Sequence, residues 1–255
     1  MFYKLMFYSC LYFIFEFIID ISIISSYNRN IMPRPKRKIK GGYCYHVLNR
    51  ANGRLRIFKK RDDFLAFERI LCESQERINI KIYGWCIMSN HWHLLLEPCG
   101  DGDLSAFMHW LTVTHTMRHH SSHGTSGTGH IYQGSFKSFP VQQNHITRIL
   151  RYIEANPLKA KMVDDAGDYR WSSFGCHIGR PNPDIPFRVS ELPVKLPRNW
   201  KYLVHRDMLK KDVALIENSL KRGAPLGETE WVKKTAKGLL LESTINKRGR
   251  PFKKD

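Results

Sequence analysis

The feature that most constrains the fold is a pair of apolar runs in close succession. Residues 81–88 read KIYGWCIM and residues 91–97 read HWHLLLE, and only Ser89 and Asn90 separate them. Two short apolar runs joined by two small polar residues predict a tight β-hairpin. We therefore expect two adjacent antiparallel strands, the second of which is buried.

The segments around this hairpin predict the rest of the sheet. GYCYHVLNR (42–50) and YQGSFKSFPV (132–141) alternate as strands do, whereas RDDFLAFERILCESQERIN (61–79) and DLSAFMHWLTVTHTMRHH (103–120) repeat apolar residues at helical spacing. The resulting order is β-α-β-β-α-β. It predicts an α+β, ferredoxin-like fold with an antiparallel sheet that helices cover on one face.

A third helix is predicted over NHITRILRYIEANPLKAKMV (144–163), with Asn144 as its N-cap. Pro157 should loosen the helix at the preceding residue. Polar side chains recur every four residues on one face of this helix, at Arg148, Tyr152 and Asn156. The apolar stripe consists of Ile146, Ile149, Leu150 and Ile153.

Changes in composition along the chain predict three regions. Residues 1–31 are aromatic and isoleucine-rich, but Glu16 and Asp20 interrupt them, so a membrane span is disfavoured. We interpret them as a mis-assigned start before Met32 or as an apolar N-terminal extension. Residues 32–178 form the main domain. Residues 179–255 form a basic C-terminal extension, with a proline-rich stretch and two amphipathic helices (200–223 and 228–245).

The charge points to a polyanionic partner. The chain has 41 Lys and Arg against 23 Asp and Glu, a net charge of +18. An excess of this size favours nucleic acid, although some basic proteins are simply soluble. The six cysteines form no C-x-x-C pair, which excludes a disulfide framework and a zinc ribbon and favours the cytoplasm.

His91 and His93 flank Trp92 on the predicted second hairpin strand. Side chains alternate along a strand, so both imidazoles point to one face and can either pack in a core or bind one metal ion. Tyr152 and the amide of Asn156 could complete a phosphoryl-transfer site. A divalent cation on two imidazoles and an amide oxygen would withdraw charge from a phosphate while the tyrosine attacks it.

Several blocks of the sequence together resemble the single-tyrosine HUH transposases, and among these the REP-associated tyrosine transposases. The blocks are CIMSNHWHLLL, RYIEANPLKAKMV, YRWSSF, GGYCYHVLNRANGR and IYQGSFKSFPV, which occur in the right order over roughly residues 33–178. The family usually has proline where Ser89 stands and a small aliphatic residue where Trp92 stands. Neither difference removes a functional group.

The resemblance implies a site and a partner. It makes His91 and His93 ligands of a divalent metal (Mg²⁺ or Mn²⁺), Asn156 the third polar ligand and Tyr152 the nucleophile. It also implies a ferredoxin-like fold and single-stranded DNA with hairpin or palindromic ends as the substrate of DNA transposition, with no small-molecule substrate. Neither a monomer nor a dimer is indicated.

Basic residues in two places are candidates for DNA contacts. Within the main domain these are Arg50, Arg54, Lys137 and Arg148. In the tail, Arg248 and Arg250 lie in KRGRP, which resembles the core of an AT-hook. Solvated surface charge, and a non-specific phosphate-binding tail, are the alternatives.

Other interpretations stay open. A rolling-circle or relaxase-type HUH nuclease uses the same parts, and a catalytically idle relative could bind palindromes without cutting them. A histidine-triad hydrolase is less well matched because only two histidines alternate. Tyr132 is the rival nucleophile. Six histidines between His109 and His130 are interpreted as a solvated loop rather than a second metal site.

Overall fold

A computed structural model describes residues 39–246 of the chain. The predictions made for residues 1–31, Arg248 and Arg250 lie outside the described residues.

Four strands form one antiparallel sheet. They are β1 (Cys44–Arg50), β2 (Ile80–Met88), β3 (His91–Pro98) and β4 (Lys137–Val141). Their spatial order is β2-β3-β1-β4, and every neighbouring pair is antiparallel. This order confirms the predicted ferredoxin-like fold and the hairpin turn at Ser89 and Asn90. The fourth strand is shorter than predicted, because Gly134 (φ 155°) lies in an irregular segment before it.

The helices of the β-α-β-β-α-β unit cover one face of the sheet. They are α1 (Arg61–Arg77) and α2 (Asp103–His123). Both bury apolar residues in a core that also contains Trp85 and Trp92. Helix α2 continues past the predicted end at residue 120 and ends before Gly124, whose φ of 62° closes it with a left-handed residue.

The tyrosine-bearing helix lies against the opposite face. A 3₁₀ turn (Gln143–His145) leads into α3 (Ile146–Glu154), and Ala155 separates α3 from the short α4 (Asn156–Lys159). The predicted apolar stripe of α3 is buried. The helix is interrupted at Ala155, one residue before the predicted position, and Asn156 is itself helical. Asn144 is not the N-cap, because the chain there is in the 3₁₀ turn and the Asn144 amide donates to Glu228 Oε1 instead (2.9 Å).

A glycine permits the close approach of α3 to the sheet. A Cβ atom at Gly84 of β2 would lie 2.4 Å from Leu150 Cδ1. Gly84 also coincides with the one irregularity in the β2–β3 register. Since Leu150 is fully buried, a larger residue at position 84 would displace the helix that carries Tyr152.

The remaining segments wrap around both edges of the sheet. After a 3₁₀ turn (Ala166–Asp168), helices α5 (Phe174–His177), α6 (Trp200–His205), α7 (Lys210–Arg222), α8 (Thr229–Gly238) and α9 (Glu242–Ile245) follow. Each of the two predicted C-terminal helices is therefore two helices. Among the described residues, no helix is long and apolar enough to cross a membrane.

Candidate active site

The two histidines of β3 point to the face on which α3 lies. In the sheet register, His91 pairs with Arg50 and His93 pairs with Leu48 of β1. The two imidazole rings are 5.1 Å apart between centroids. Trp92 points to the other face, where it is fully buried and its Nε1 donates to Tyr132 Oη (3.0 Å). The strand alternation expected for these three residues is therefore confirmed.

Helix α3 brings Tyr152 to this histidine pair. The Tyr152 and His93 ring centroids are 5.8 Å apart, and the rings are nearly perpendicular (89°). Tyr152 is half-buried. Burial, and next to it the charge of Glu217, raise the pKa of the phenol above its usual value, while the nearby charge of Arg50 opposes this increase. The hydroxyl is thus neutral at ordinary pH and must lose a proton in order to act as a nucleophile.

Both β3 histidines are held in the neutral form. Burial, with a contribution from Arg50, lowers the pKa of His91 to about 4. His93 is almost fully buried, and its pKa lies well below the usual value, first because of burial and then because a proton on His93 would be disfavoured by the adjacent imidazoles of His46 and His91 and by the charge of Arg50. Neutral imidazole is the form that binds metal ions.

Hydrogen bonds to neighbouring side chains occupy the Nδ1 atom of each histidine. His91 Nδ1 donates to Asn90 Oδ1 (2.6 Å), so Nε2 of His91 carries no proton. His93 Nδ1 lies 2.9 Å from Nε2 of His46, a fully buried residue of β1. With the shared proton on His93, its Nε2 is also unprotonated. His46 was missed in the sequence, where its strand pattern was visible but its register with β3 was not.

Asn156 stands at the start of α4, one turn after Tyr152. Its Nδ2 donates to the carbonyl oxygens of Tyr152 (2.8 Å) and Ile153 (3.2 Å). Both amide protons are therefore used within the helix, which leaves Oδ1 free as an acceptor. Within the described range no three His, Cys, Asp or Glu side chains are grouped to hold a metal ion. Two free imidazole nitrogens and one amide oxygen do fit a divalent cation by their chemistry.

Tyr132 is on the wrong side of the sheet to share this site. It is buried with the core of α1 and α2, and its hydroxyl lies 2.7 Å from Nδ1 of His115 on α2. His115 is itself buried, so the interpretation of the histidine cluster as a solvated loop is wrong for this residue. The loop interpretation is also wrong for four more of the six histidines, which lie on α2 because that helix extends to His123.

The predicted DNA contacts are distributed unevenly. Arg50 and Lys137 lie on the strand face that carries the histidine pair, and Arg54 lies in the exposed 3₁₀ turn after β1. Arg148 Nε is 3.4 Å from Asp212 Oδ1 of α7, and its Nη1 donates to His145 Nδ1 (2.7 Å). The roles of all four residues stay predictions.

A second cation near the tyrosine was also missed. Lys159, the last residue of α4, places its Nζ over the Tyr152 ring, 4.7 Å from the centroid. Its spacing of seven residues from Tyr152 puts both on one side of the α3–α4 segment. The spacing is visible in the sequence, but Ala155 interrupts the helix and hides the relationship.

Comparisons with known proteins gave a family model and a similar solved structure. No curated protein matches the chain. A solved structure of a REP-associated tyrosine transposase bound to a REP hairpin has a TM-score of 0.48 and 19% identity, over 62% of this chain and 91% of the other. The family model described as "Transposase IS200 like" matches residues 40–156, a range that contains His91, His93 and Tyr152 and ends at Asn156. The matched range covers the four strands, α1, α2 and the tyrosine-bearing helix α3, and it does not extend into the residues after Asn156.

Proposed function

We propose that the chain is a cytoplasmic transposase that cleaves and rejoins single-stranded DNA beside hairpins through a 5′-phosphotyrosine on Tyr152. The observation that carries this proposal is the position of the Tyr152 ring against His93, 5.8 Å between centroids. A nucleophile and a pair of neutral imidazoles on one face form the minimal set for metal-assisted phosphoryl transfer.

The reaction divides into two reversible steps. In the first, Tyr152 Oη forms a bond to phosphorus and the bond from phosphorus to the 3′ oxygen breaks. The phenolic proton leaves to solvent, and the departing oxygen takes up a proton to become a 3′-hydroxyl. In the second, another 3′-hydroxyl attacks the phosphotyrosine and releases the phenol. Since the diester energy is retained, no ATP is needed.

A divalent metal, Mg²⁺ or Mn²⁺, would be held by Nε2 of His91, Nε2 of His93 and Oδ1 of Asn156. When bound, it supplies Lewis-acid stabilisation of charge on the scissile phosphate. The chain's own groups orient the tyrosine: His93 packs against the edge of the ring, and the half-buried position limits its motion. Arg50 contributes a positive charge at the same end of the sheet.

Charge supports nucleic acid as the partner. The net charge of +18 favours binding to phosphate groups, whatever the base sequence of the nucleic acid. Arg50 and Lys137 would contact DNA near the site. Arg54 and Arg148, and in the tail Arg248 and Arg250, would contact parts of the DNA that lie farther from the scissile phosphate. The sequence resemblance to REP-associated transposases is what points to hairpin ends rather than plain single strands.

The test is a covalent-trapping assay. The full chain is incubated with Mn²⁺ or Mg²⁺ and a pool of single-stranded oligonucleotides, each with a hairpin and randomised flanks, and adducts are resolved on denaturing gels. We expect an adduct with the wild type and none with Tyr152→Phe. Tyr202→Phe, at an exposed tyrosine of α6, is the matched control and should retain the adduct.

Three results would change the proposal. An adduct that still forms with Tyr152→Phe would show that Tyr152 is not the nucleophile. Tight binding of hairpins without any cleavage would favour an idle palindrome-binding protein. Cleavage without rejoining, when a second 3′-hydroxyl strand is added, would favour a nuclease of the rolling-circle or relaxase type.

A further inference from the structure

The ammonium group of Lys159 stands over the ring of the candidate nucleophile. Its Nζ lies 4.7 Å from the centre of the Tyr152 ring. Among residues 39–246 it forms no ion pair with a carboxylate, and the residue is exposed. A cation over an aromatic ring at a position open to solvent contributes little to stability. Ring packing alone therefore gives a weak reason for an ammonium group to stand here.

The charge of Lys159 extends into the site. It is one of the positive charges that disfavour protonation of His93, as is Arg50 from the β1 side. The Nε of Arg50 is buried and has no hydrogen-bond partner in the part of the chain that the structure describes. Two cationic side chains from different elements thus flank Tyr152, and the acidic group acting on both Tyr152 and Lys159, Glu217, is exposed on α7.

We propose that the Lys159 ammonium binds a non-bridging oxygen of the phosphodiester that Tyr152 attacks, and then of the phosphotyrosine formed. This inference rests on the proposed function and adds a catalytic residue to it. An ammonium within reach of the phosphate stabilises the negative charge that builds up on its oxygens in the transition state. Lys159 neither gains nor loses a bond in the step, and the electron pair moves from Tyr152 Oη to phosphorus and then to the 3′ oxygen.

The first test needs no DNA and uses inorganic phosphate as the probe. The protein carries ¹³C-labelled tyrosine, and the Tyr152 ring signal is assigned by its loss in Tyr152→Phe. At constant ionic strength, phosphate should shift this signal saturably in the wild type. Lys159→Met should weaken the apparent phosphate affinity by about tenfold or more, whereas Lys159→Arg should largely retain it. Lys161→Met, an equal charge change two residues away, is the matched control and should behave as the wild type.

The second test uses the adduct assay. Lys159→Met should slow adduct formation with the hairpin oligonucleotides on the order of 10²-fold at saturating DNA, while their affinity changes little. A purely structural role would alter the circular dichroism spectrum or lower affinity and rate together, without restoration by arginine.

The two tests separate failure of this inference from failure of the proposed function. Equal adduct rates in the wild type and Lys159→Met would overturn the role of Lys159 and leave the transposase proposal intact. Loss of phosphate binding in Lys159→Met, with no adduct from any DNA, would support the Lys159 site and count against DNA cleavage. A wild type whose Tyr152 signal never responds to phosphate would contradict the Lys159 site.

Discussion

The buried imidazole of His46 determines which nitrogen of His93 is free. The two rings stack at 5.1 Å, and His46 Nε2 lies 2.9 Å from His93 Nδ1. A proton on His93 Nδ1 leaves its Nε2 able to bind a cation, whereas a proton on His46 Nε2 reverses the arrangement. Hydrogen bonds of this kind orient metal-binding histidines and select their tautomer. We therefore propose that His46 is a positioning residue for His93.

Replacing His46 should weaken metal binding without touching a ligand. We expect His46→Ala to reduce the affinity for Mn²⁺ by about 10–100-fold, measured by isothermal titration calorimetry in the absence of DNA. His46→Gln keeps a side-chain acceptor and should lose less. His109→Ala removes an exposed imidazole and is the control. Unchanged Mn²⁺ affinity in a folded His46→Ala protein would rule out the positioning role.

At the scale of elements, α1 carries a buried acid that makes stability depend on pH. Glu68 is fully buried, and neither of its carboxyl oxygens has a hydrogen-bond partner among the described residues. Arg170 Nη2 is 3.8 Å away, too far for a hydrogen bond. Burial raises the pKa of Glu68 to about 7, although Arg170 opposes the increase. The folded chain therefore favours the neutral carboxyl group.

The sign of the pH dependence follows from this raised pKa. Below about pH 4.5 the carboxyl is neutral in both states, and the stability it contributes is fully present. That stability falls as the pH rises, and it is lost once the pH passes through about 7. Glu68→Gln cannot ionise, so it should raise the free energy of unfolding by about 2–3 kcal/mol at pH 8 and change it little at pH 4.5.

Urea denaturation at the two pH values measures this difference. Glu76→Gln, at an exposed position of the same helix, is the control and should show no pH-dependent gain. A Glu68→Gln protein that is less stable than the wild type at pH 8 would mean that the ionised carboxylate stabilises the fold beside Arg170, and would contradict a raised pKa of Glu68.

The elements themselves were largely predictable, because hydrophobic periodicity is a local property. The alternation of residue types in β1 and the helical spacing of apolar residues in α1 each indicate a regular element, and the fold followed from the order of these elements. Ends were less accurate, since they depend on single residues such as Gly124 after α2. The C-terminal helices were predicted too long because their apolar spacing continues across the breaks near residues 206–209 and 239–241.

At the scale of the whole molecule, predicting the site required information that no local sequence pattern contains. The side-by-side placement of His91 and His93 follows from a strand, but the contact with His46 depends on the β1–β3 register, and Tyr152 reaches His93 only because Gly84 admits α3. The resemblance to a known family supplied the link between these separate segments. It gave no information about His46 or Lys159.

Residues after 178 complete the structure of the sheet. Ser190 N donates to Ile82 O beside β2, and Leu226 N donates to Pro140 O beside β4, so both edges are covered. Trp200 of α6 donates from Nε1 to Glu154 Oε2 on α3 (2.8 Å), and Glu154 also accepts from Ser173 and His177. The C-terminal segment therefore anchors the helix that carries the tyrosine.

A chain that ends at residue 178 should consequently be unstable. It would lose the pairing of Leu226 with β4 and of Ser190 with β2. It would also expose the apolar surface that Trp200, Val204 and Ile216 now cover, and exposed edges promote aggregation. Size-exclusion chromatography should show aggregated protein, and thermal denaturation should show no cooperative transition.

The milder variant Trp200→Phe keeps most of the buried ring and removes one donor to Glu154. Leaving this buried acceptor partly unsatisfied should lower the free energy of unfolding by about 1–3 kcal/mol. Tyr202→Phe, on the exposed side of the same helix, should cost almost nothing in the same urea denaturation experiment. A truncated chain that stays monomeric and unfolds cooperatively would show that residues 32–178 are an independent domain. A Trp200→Phe protein with an unchanged free energy of unfolding would show that the tyrosine helix is anchored without the C-terminal extension.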